Sequence, residues 1–195
     1  GNPELKSETV QTLDLIWMAR WPDTALSFGY FENHFRNSII QTENGDSSRV
    51  HLNANENPSK GVELELAHEH NFNWLLRCSI THLFENIETS KRETDDMLSI
   101  LINYNQPNWQ ANLIAIHHGK RFTPSKNAPN NELTLDDYWV LFGKFEYLYQ
   151  TDLTLSLQAK NIFNKSYYTP SRSSSIVNGI PNRGRELSFS MNLNF

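Results

Sequence analysis

The sequence holds a single cysteine, Cys78, in 195 residues. A lone thiol excludes an intramolecular disulfide and a thiolate metal cluster. Long apolar runs are missing too. The longest are about five residues, such as 138–142, against the roughly 18 that a membrane helix needs. That excludes a helical span but leaves a membrane barrel open, because barrel strands are apolar only at alternate positions. No basic cluster offsets the formal charge of -5, so no nucleic-acid partner is expected. Residues 1–6 carry neither a charged n-region nor an apolar h-region, and the chain is expected to be a piece whose true start lies upstream. Neither a Ser-His-Asp order nor a glycine-rich phosphate loop is present, and no enzyme is expected.

What the sequence has is alternation. Leu187, Phe189, Met191, Leu193 and Phe195 interleave with Ser188, Ser190, Asn192 and Asn194. Successive side chains of a strand point to opposite faces, so the apolar residues fall on one side and the small polar ones on the other. A soluble sandwich strand reads this way as well. This pattern, however, runs to the carboxyl end, where soluble domains fray. A strand in that position needs pairing on both sides, and a closed barrel supplies it.

Nine such strands are expected. The first runs to Trp21 and the second covers 25–41. Segments 60–71, 74–85, 97–105, 109–119, 138–149 and 153–163 follow before the terminal strand. Connections alternate in size: short turns follow Trp21, Asn71, Asn105 and Tyr149, whereas long polar loops begin near Thr42, Asn86, Lys120 and Asn164. Outer-membrane barrels share this asymmetry, with short periplasmic turns and long outer loops. Trp21, Phe72, Trp74, Tyr104, Trp109, Tyr149 and Phe195 all fall at the short-turn edge, where amphipathic rings suit a membrane–water boundary. The fold class is all-β: an antiparallel up-and-down transmembrane β-barrel segment.

The same register sends Glu63, Glu65, Arg77, Glu85, Lys144, Glu146, Lys160 and Glu186 to one face. Facing lipid, an Arg or Lys at mid-depth costs roughly 2–4 kcal/mol, so a solvated inner wall is where they belong. Among seven histidines, His68 and His70 share a face and His117 and His118 are adjacent. His68 and His70 fall on the apolar side near the turn edge, which suits an interface; no metal site and no cofactor are expected. Ser79 and His82 fall on opposite faces, which leaves no membrane hydrolase pair.

Four segments carry a family pattern. Residues 160–168, KNIFNKSYY, are similar to an N-L-F-D-K-x-Y motif, with Ile162 and Asn164 in place of Leu and Asp. Residues 181–186, PNRGRE, resemble a P-x-x-G-R lead-in to a final strand ending in Phe. Residues 60–66, KGVELEL, resemble a G-V-E-L-E strand, and residues 1–8 resemble a G-N-P-x-L-x-x-E loop. Together these resemble the TonB-dependent outer-membrane receptors. The resemblance implies a barrel of about 22 strands around a plug, of which residues 1–195 are about nine C-terminal strands. The plug, the N-terminal strands and the TonB-contacting segment would then lie upstream. It also implies that barrel-assembly machinery reads Leu187, Phe189, Met191, Leu193 and Phe195.

The resemblance implies an outer-membrane receptor of a Gram-negative bacterium that imports a scarce solute, foremost a ferric siderophore, with TonB-coupled energy. The long loops are the expected place for ligand contacts. Arg121, Phe122 and Lys126 in one loop, with Tyr167, Tyr168, Arg172 and Arg183 in another, combine cations with aromatics. That mixture suits an anionic, aromatic iron chelate through charge-assisted bonds and stacking. The rival readings are a passive porin-like or adhesin-like barrel and a soluble β-rich binding module.

Overall fold

The computed structural model of the chain describes residues 2–43, 49–54, 57–85 and 92–193. In chain order the strands are β1 (Thr9–Arg20), β2 (Thr24–Arg36), β3 (Ile39–Glu43), β4 (Arg49–Asn53), β5 (Asn57–His70), β6 (Trp74–Glu85), β7 (Asp96–Gln106) and β8 (Trp109–His118). They continue as β9 (Arg121–Pro124), β10 (Glu132–Leu135), β11 (Tyr138–Gln150), β12 (Leu153–Lys160), β13 (Tyr168–Thr169), β14 (Ile180–Pro181) and β15 (Glu186–Leu193). Nine of them form one antiparallel sheet in the order β1-β2-β5-β6-β7-β8-β11-β12-β15. Sequence neighbours are space neighbours throughout, as in an up-and-down barrel. The sheet is open, with β1 and β15 at its edges.

Period-two alternation and register together give the sheet two different faces. One row across seven strands reads Trp17, Phe28, Leu64, Ile80, Leu98, His117 and Trp139. A second, nearer the other edge, reads Trp74, Tyr104, Ala111, Phe145, Leu157 and Phe189. Many of these large side chains are exposed, Trp17 at 57% and Phe189 at 68%. An exposed apolar band of this extent belongs against lipid. The opposite face carries Glu63, Glu65, Arg77, Lys144, Glu146, Lys160 and Glu186, as expected; the side chain of Glu85 lies outside the described residues. Glu146 there takes a hydrogen bond from Gln110, a second from Ser156 at 3.2 Å, and an ion pair from Lys144 at 2.9 Å. Lys144 pairs with Glu146, and Lys160 with Glu186, on this inner face instead of meeting hydrocarbon.

Short turns set the register at one end. Asn71 and Phe72 both take positive φ, 52° and 58°, the two-residue geometry that matches strand twist. Above this edge the rings of Trp74, Tyr104, Trp109 and Phe145 run in a chain, with centroids 4.2, 5.0 and 5.7 Å apart. Phe195 lies outside the described residues.

At the long-loop end three features differ from the sequence expectation. The second strand stops at Arg36 and not at Gln41, because Asn37 turns to φ 55°. The β12 strand stops at Lys160 and not at Phe163, because Asn161 sits at φ 49°. And three of the long loops contain hairpins of their own, β3–β4, β9–β10 and β13–β14. The segment ahead of β1 is sewn to the first of these. Asn53 accepts from the Lys6 amide at 2.8 Å and donates to the Lys6 and Asn37 carbonyls at 2.9 and 2.7 Å.

Candidate functional site

The long loops after β8 and β12 converge on the inner face around Tyr138. This residue opens β11 in register with His118, on the face that also carries Lys144 and Glu146. Tyr138 and Val140 are 5% and 4% exposed. Segment 138–142 is apolar on both faces, which a strand with one wet face does not need; here the inner face is covered. The cover is Tyr167, whose ring stacks on Tyr138 with centroids 4.2 Å apart and planes 27° apart. Burial pushes the Tyr167 hydroxyl above the ordinary tyrosine range.

Two loops build this cover as one body. The Ser171 amide donates to Thr123 Oγ1 at 2.9 Å, the Lys126 amide to the Ser174 carbonyl at 3.1 Å. Thr123, Ser125 and Ser171 are buried polar residues, and each finds partners in these loops. Buried hydroxyls and amides so satisfied specify one arrangement, because any other strands them without partners. A cavity of about 290 Å³ opens between the loops, with Asp137, Tyr138, Lys165, Tyr167 and Tyr168 in its wall. Asp137 is held below the usual carboxylate range, chiefly by its hydrogen bond to His117 at 3.3 Å.

The structure brings the expected ligand residues into this one assembly, but not in equivalent roles. Lys126 and Arg172 are exposed, Tyr168 is 41% exposed, and Phe122 is half-buried on β9. Arg183 is exposed and donates to Glu186 at 3.0 Å. It shares a second hollow with Tyr167 and Lys160. Arg121 is different: it is 6% exposed, with Cζ 4.9 Å from the Tyr138 ring centre and Nη2 donating to the Tyr168 carbonyl at 3.2 Å.

Sequence reasoning passed over Asn161. Its buried amide donates to the carbonyls of Lys165 and Arg183 at 2.9 and 3.2 Å and accepts from the Lys165 amide at 2.8 Å. Asn164 accepts from the Arg185 amide at 2.9 Å. The two asparagines of the KNIFN segment therefore fasten the last loop to the PNRGR lead-in of β15. Asn161→Ala is expected to lower the stability of the full-length receptor by about 2–4 kcal/mol, the order for three hydrogen bonds lost with buried partners left unpaired. Urea unfolding in detergent micelles measures it; a change below about 0.5 kcal/mol contradicts the fastening role.

Metal ligation finds no built site: among the described residues no group of three or more His, Cys, Asp or Glu side chains converges. His68 and His70 stack at 6.3 Å on the outer face, and His68 Nδ1 meets Thr24 Oγ1 at 2.8 Å. The terminal-strand residues Leu187, Phe189, Met191 and Leu193 share the outer face at 48–69% exposure.

Known proteins match this architecture closely in fold. The pyoverdine outer-membrane receptor FpvA of Pseudomonas aeruginosa PAO1, bound to pyoverdine, superimposes with a TM-score of 0.80 at 21% identity, over 98% of this chain and 30% of that one. The FrpB iron transporter of Neisseria meningitidis gives 0.78 at 15% identity, over 98% and 32%. The ferric-catecholate import receptor Fiu of E. coli K12 gives 0.76 at 17%, over 100% and 29%. The chain thus spans about a third of the length of these receptors. No curated protein matches it by sequence. The profile of the family described as TonB dependent receptor-like, beta-barrel, matches residues 1–162. The chain belongs to the TonB-dependent receptor β-barrels, proteins of the Gram-negative outer membrane.

Proposed function

We propose that the chain is the C-terminal nine strands of a 22-stranded, plugged barrel that imports a ferric siderophore across the outer membrane. Energy would arrive from TonB through the upstream part of the protein. Barrel-assembly machinery would read the terminal strand, Leu187, Phe189, Met191, Leu193 and Phe195. The role is transport and not catalysis.

One observation carries the substrate reading. Two stitched loops hold aromatic rings and cations together over the inner wall, next to an open cavity of about 290 Å³. Tyr167 and Tyr168 line that cavity, Tyr167 and Arg183 line a second hollow, and Lys126 and Arg172 lie exposed on the same loops with Phe122 half-buried on β9. A ferric chelate with anionic, aromatic donors fits that combination, since cations pair with its charge and rings stack on its faces. The neighbours bound to pyoverdine or described as importing ferric catecholate lend support by fold alone.

The experiment uses a receptor-deletion strain complemented with the full-length gene, under iron starvation. Uptake of the strain's own siderophore, loaded with radioactive iron, is the readout. The double variant Tyr168→Ala, Arg172→Ala is expected to lower affinity by about ten- to a hundredfold, the order for one stacking and one charge-assisted contact. Unchanged affinity with normal surface levels removes these residues from the site, and no receptor-dependent uptake of iron removes the substrate.

A further inference from the structure

Arg121 was expected to touch ligand, yet solvent barely reaches it. It starts β9 in one loop and ties three things together. Its guanidinium lies 4.9 Å from the ring centre of Tyr138 on the wall, and Nη2 donates to the Tyr168 carbonyl in the other loop at 3.2 Å. Tyr138 in turn stacks on Tyr167 at 4.2 Å. Both faces of the predicted aromatic pair are thus gripped: Tyr167 by its ring, Tyr168 by its backbone. Nε is buried with no partner among the described residues. Burying a cation with a donor unmet costs free energy, and fixing one conformation is a role that buried charges serve in some proteins.

We infer that Arg121 is a positioning residue, which holds Tyr167 and Tyr168 against the wall and sets ligand affinity through them without touching the ligand. A guanidinium set over the Tyr138 ring, 6% exposed and donating from Nη2 into the protein, leaves little surface for a chelate. The planar fork matters as much as the charge, because it serves the ring and the carbonyl at once. The inference rests on the siderophore reading for its affinity consequence and on the loop geometry alone for its structural one.

The test separates positioning from contact by a tether. The Ser171 amide donates to Thr123 Oγ1 at 2.9 Å across the two loops, so cysteines at these two positions, Thr123→Cys and Ser171→Cys, are the tether, with closure of their disulfide checked first by the gel shift between oxidised and reduced protein. In the full-length receptor, Arg121→Ala is expected to weaken binding of the iron-loaded siderophore from iron-starved medium by about tenfold. Adding the oxidised cysteine pair returns affinity to within about twofold, and reduction takes it away again. A contact residue is not rescued by a tether, so a loss that survives oxidation overturns the inference.

A ligand-free readout accompanies it. Amide hydrogen exchange across residues 167–171 is expected to quicken by about tenfold in Arg121→Ala and to slow again in the tethered form. Unaltered exchange and affinity in Arg121→Ala also overturn the inference. A wild-type receptor that ignores the siderophore while its Arg121→Ala variant shows the exchange pattern refutes the substrate and upholds the positioning. Should Arg121→Ala fail to reach the membrane, Arg121→Lys, which keeps charge and stem but loses the fork, carries both readouts.

Discussion

Gly61→Val is expected to leave little assembled receptor in the outer membrane. Gly61 lies on β5, between β2 and β6. A side chain there would meet the Phe31 ring and the His82 carbonyl oxygen, each at 2.6 Å from the new Cβ. Phe31 is its register partner on β2, so the ring lies over the glycine in the only space the strand leaves. On the other side the β5–β6 ladder shifts between Lys60 and Gly61, with Leu83 opposite Gly61 and Glu85 opposite Lys60, which brings backbone close. Overpacking commonly costs 1–3 kcal/mol, and one clash with backbone added to one with an aromatic ring puts this site at about 3 kcal/mol. Rescue distinguishes the two. Phe31→Ala relieves the ring but not the carbonyl, so the double variant is expected to recover only part of the heat-modifiable barrel seen by gel. Full recovery would assign the whole role of Gly61 to Phe31, and wild-type levels of Gly61→Val alone would refute the packing argument. Here a family motif residue, the glycine of KGVELEL, is explained by sterics.

The strands were legible because their signal is local. Alternation such as Val62, Leu64 and Leu66 against Glu63 and Glu65 states strand, face and direction within a few residues, and the short turns fix which strand pairs with which. All nine sheet strands and their order follow from that. The loops were not legible, because their order comes from partners far along the chain. Ser171 meets Thr123 across 48 residues and Arg121 meets Tyr168 across 47; no periodicity announces such pairs. Their hairpins also lack the alternating apolar runs that mark a strand, since β9 reads Arg-Phe-Thr-Pro. Asn37 and Asn161 end strands early through positive φ, a conformation asparagine tolerates but does not advertise. One signal was present and went unused. The run 138–142 is apolar at every position, as are the inner-face residues Ile114 and Ile116 beside it. A wall wet on its inner side has no use for them, so the sequence already marked where the loops fold down. Arg121 was expected at the ligand on residue type; it is 6% exposed, and burial is the property that composition does not carry.

Phe189→Lys is expected to be the most damaging exchange on the terminal strand, and Ser188→Lys next to it nearly silent. Phe189 is 68% exposed on the outer face, opposite Leu157 and in line with Phe145. Lysine there gives up the phenyl transfer, about 1.5–3 kcal/mol, and adds the roughly 2–4 kcal/mol that a mid-depth lysine costs against lipid. Ser188 lies on the other face, in a row with Gln158, Lys144 and Asn112, where a lysine joins a polar, charge-paired wall. The pair is read by the fraction of full-length receptor recovered as heat-modifiable barrel from the outer membrane, and by urea unfolding in lipid vesicles. Both numbers should fall steeply for the first variant, with a penalty of about 3.5–7 kcal/mol, and stay near wild type for the second. Equal damage from the two would mean that the terminal strand is read for length and not for face. Damage from Ser188→Lys alone would invert the sheet, placing Glu63, Glu65 and Lys144 against lipid, an arrangement the cost of bare charge in hydrocarbon forbids. The contrast between two adjacent residues therefore tests which way the whole wall faces.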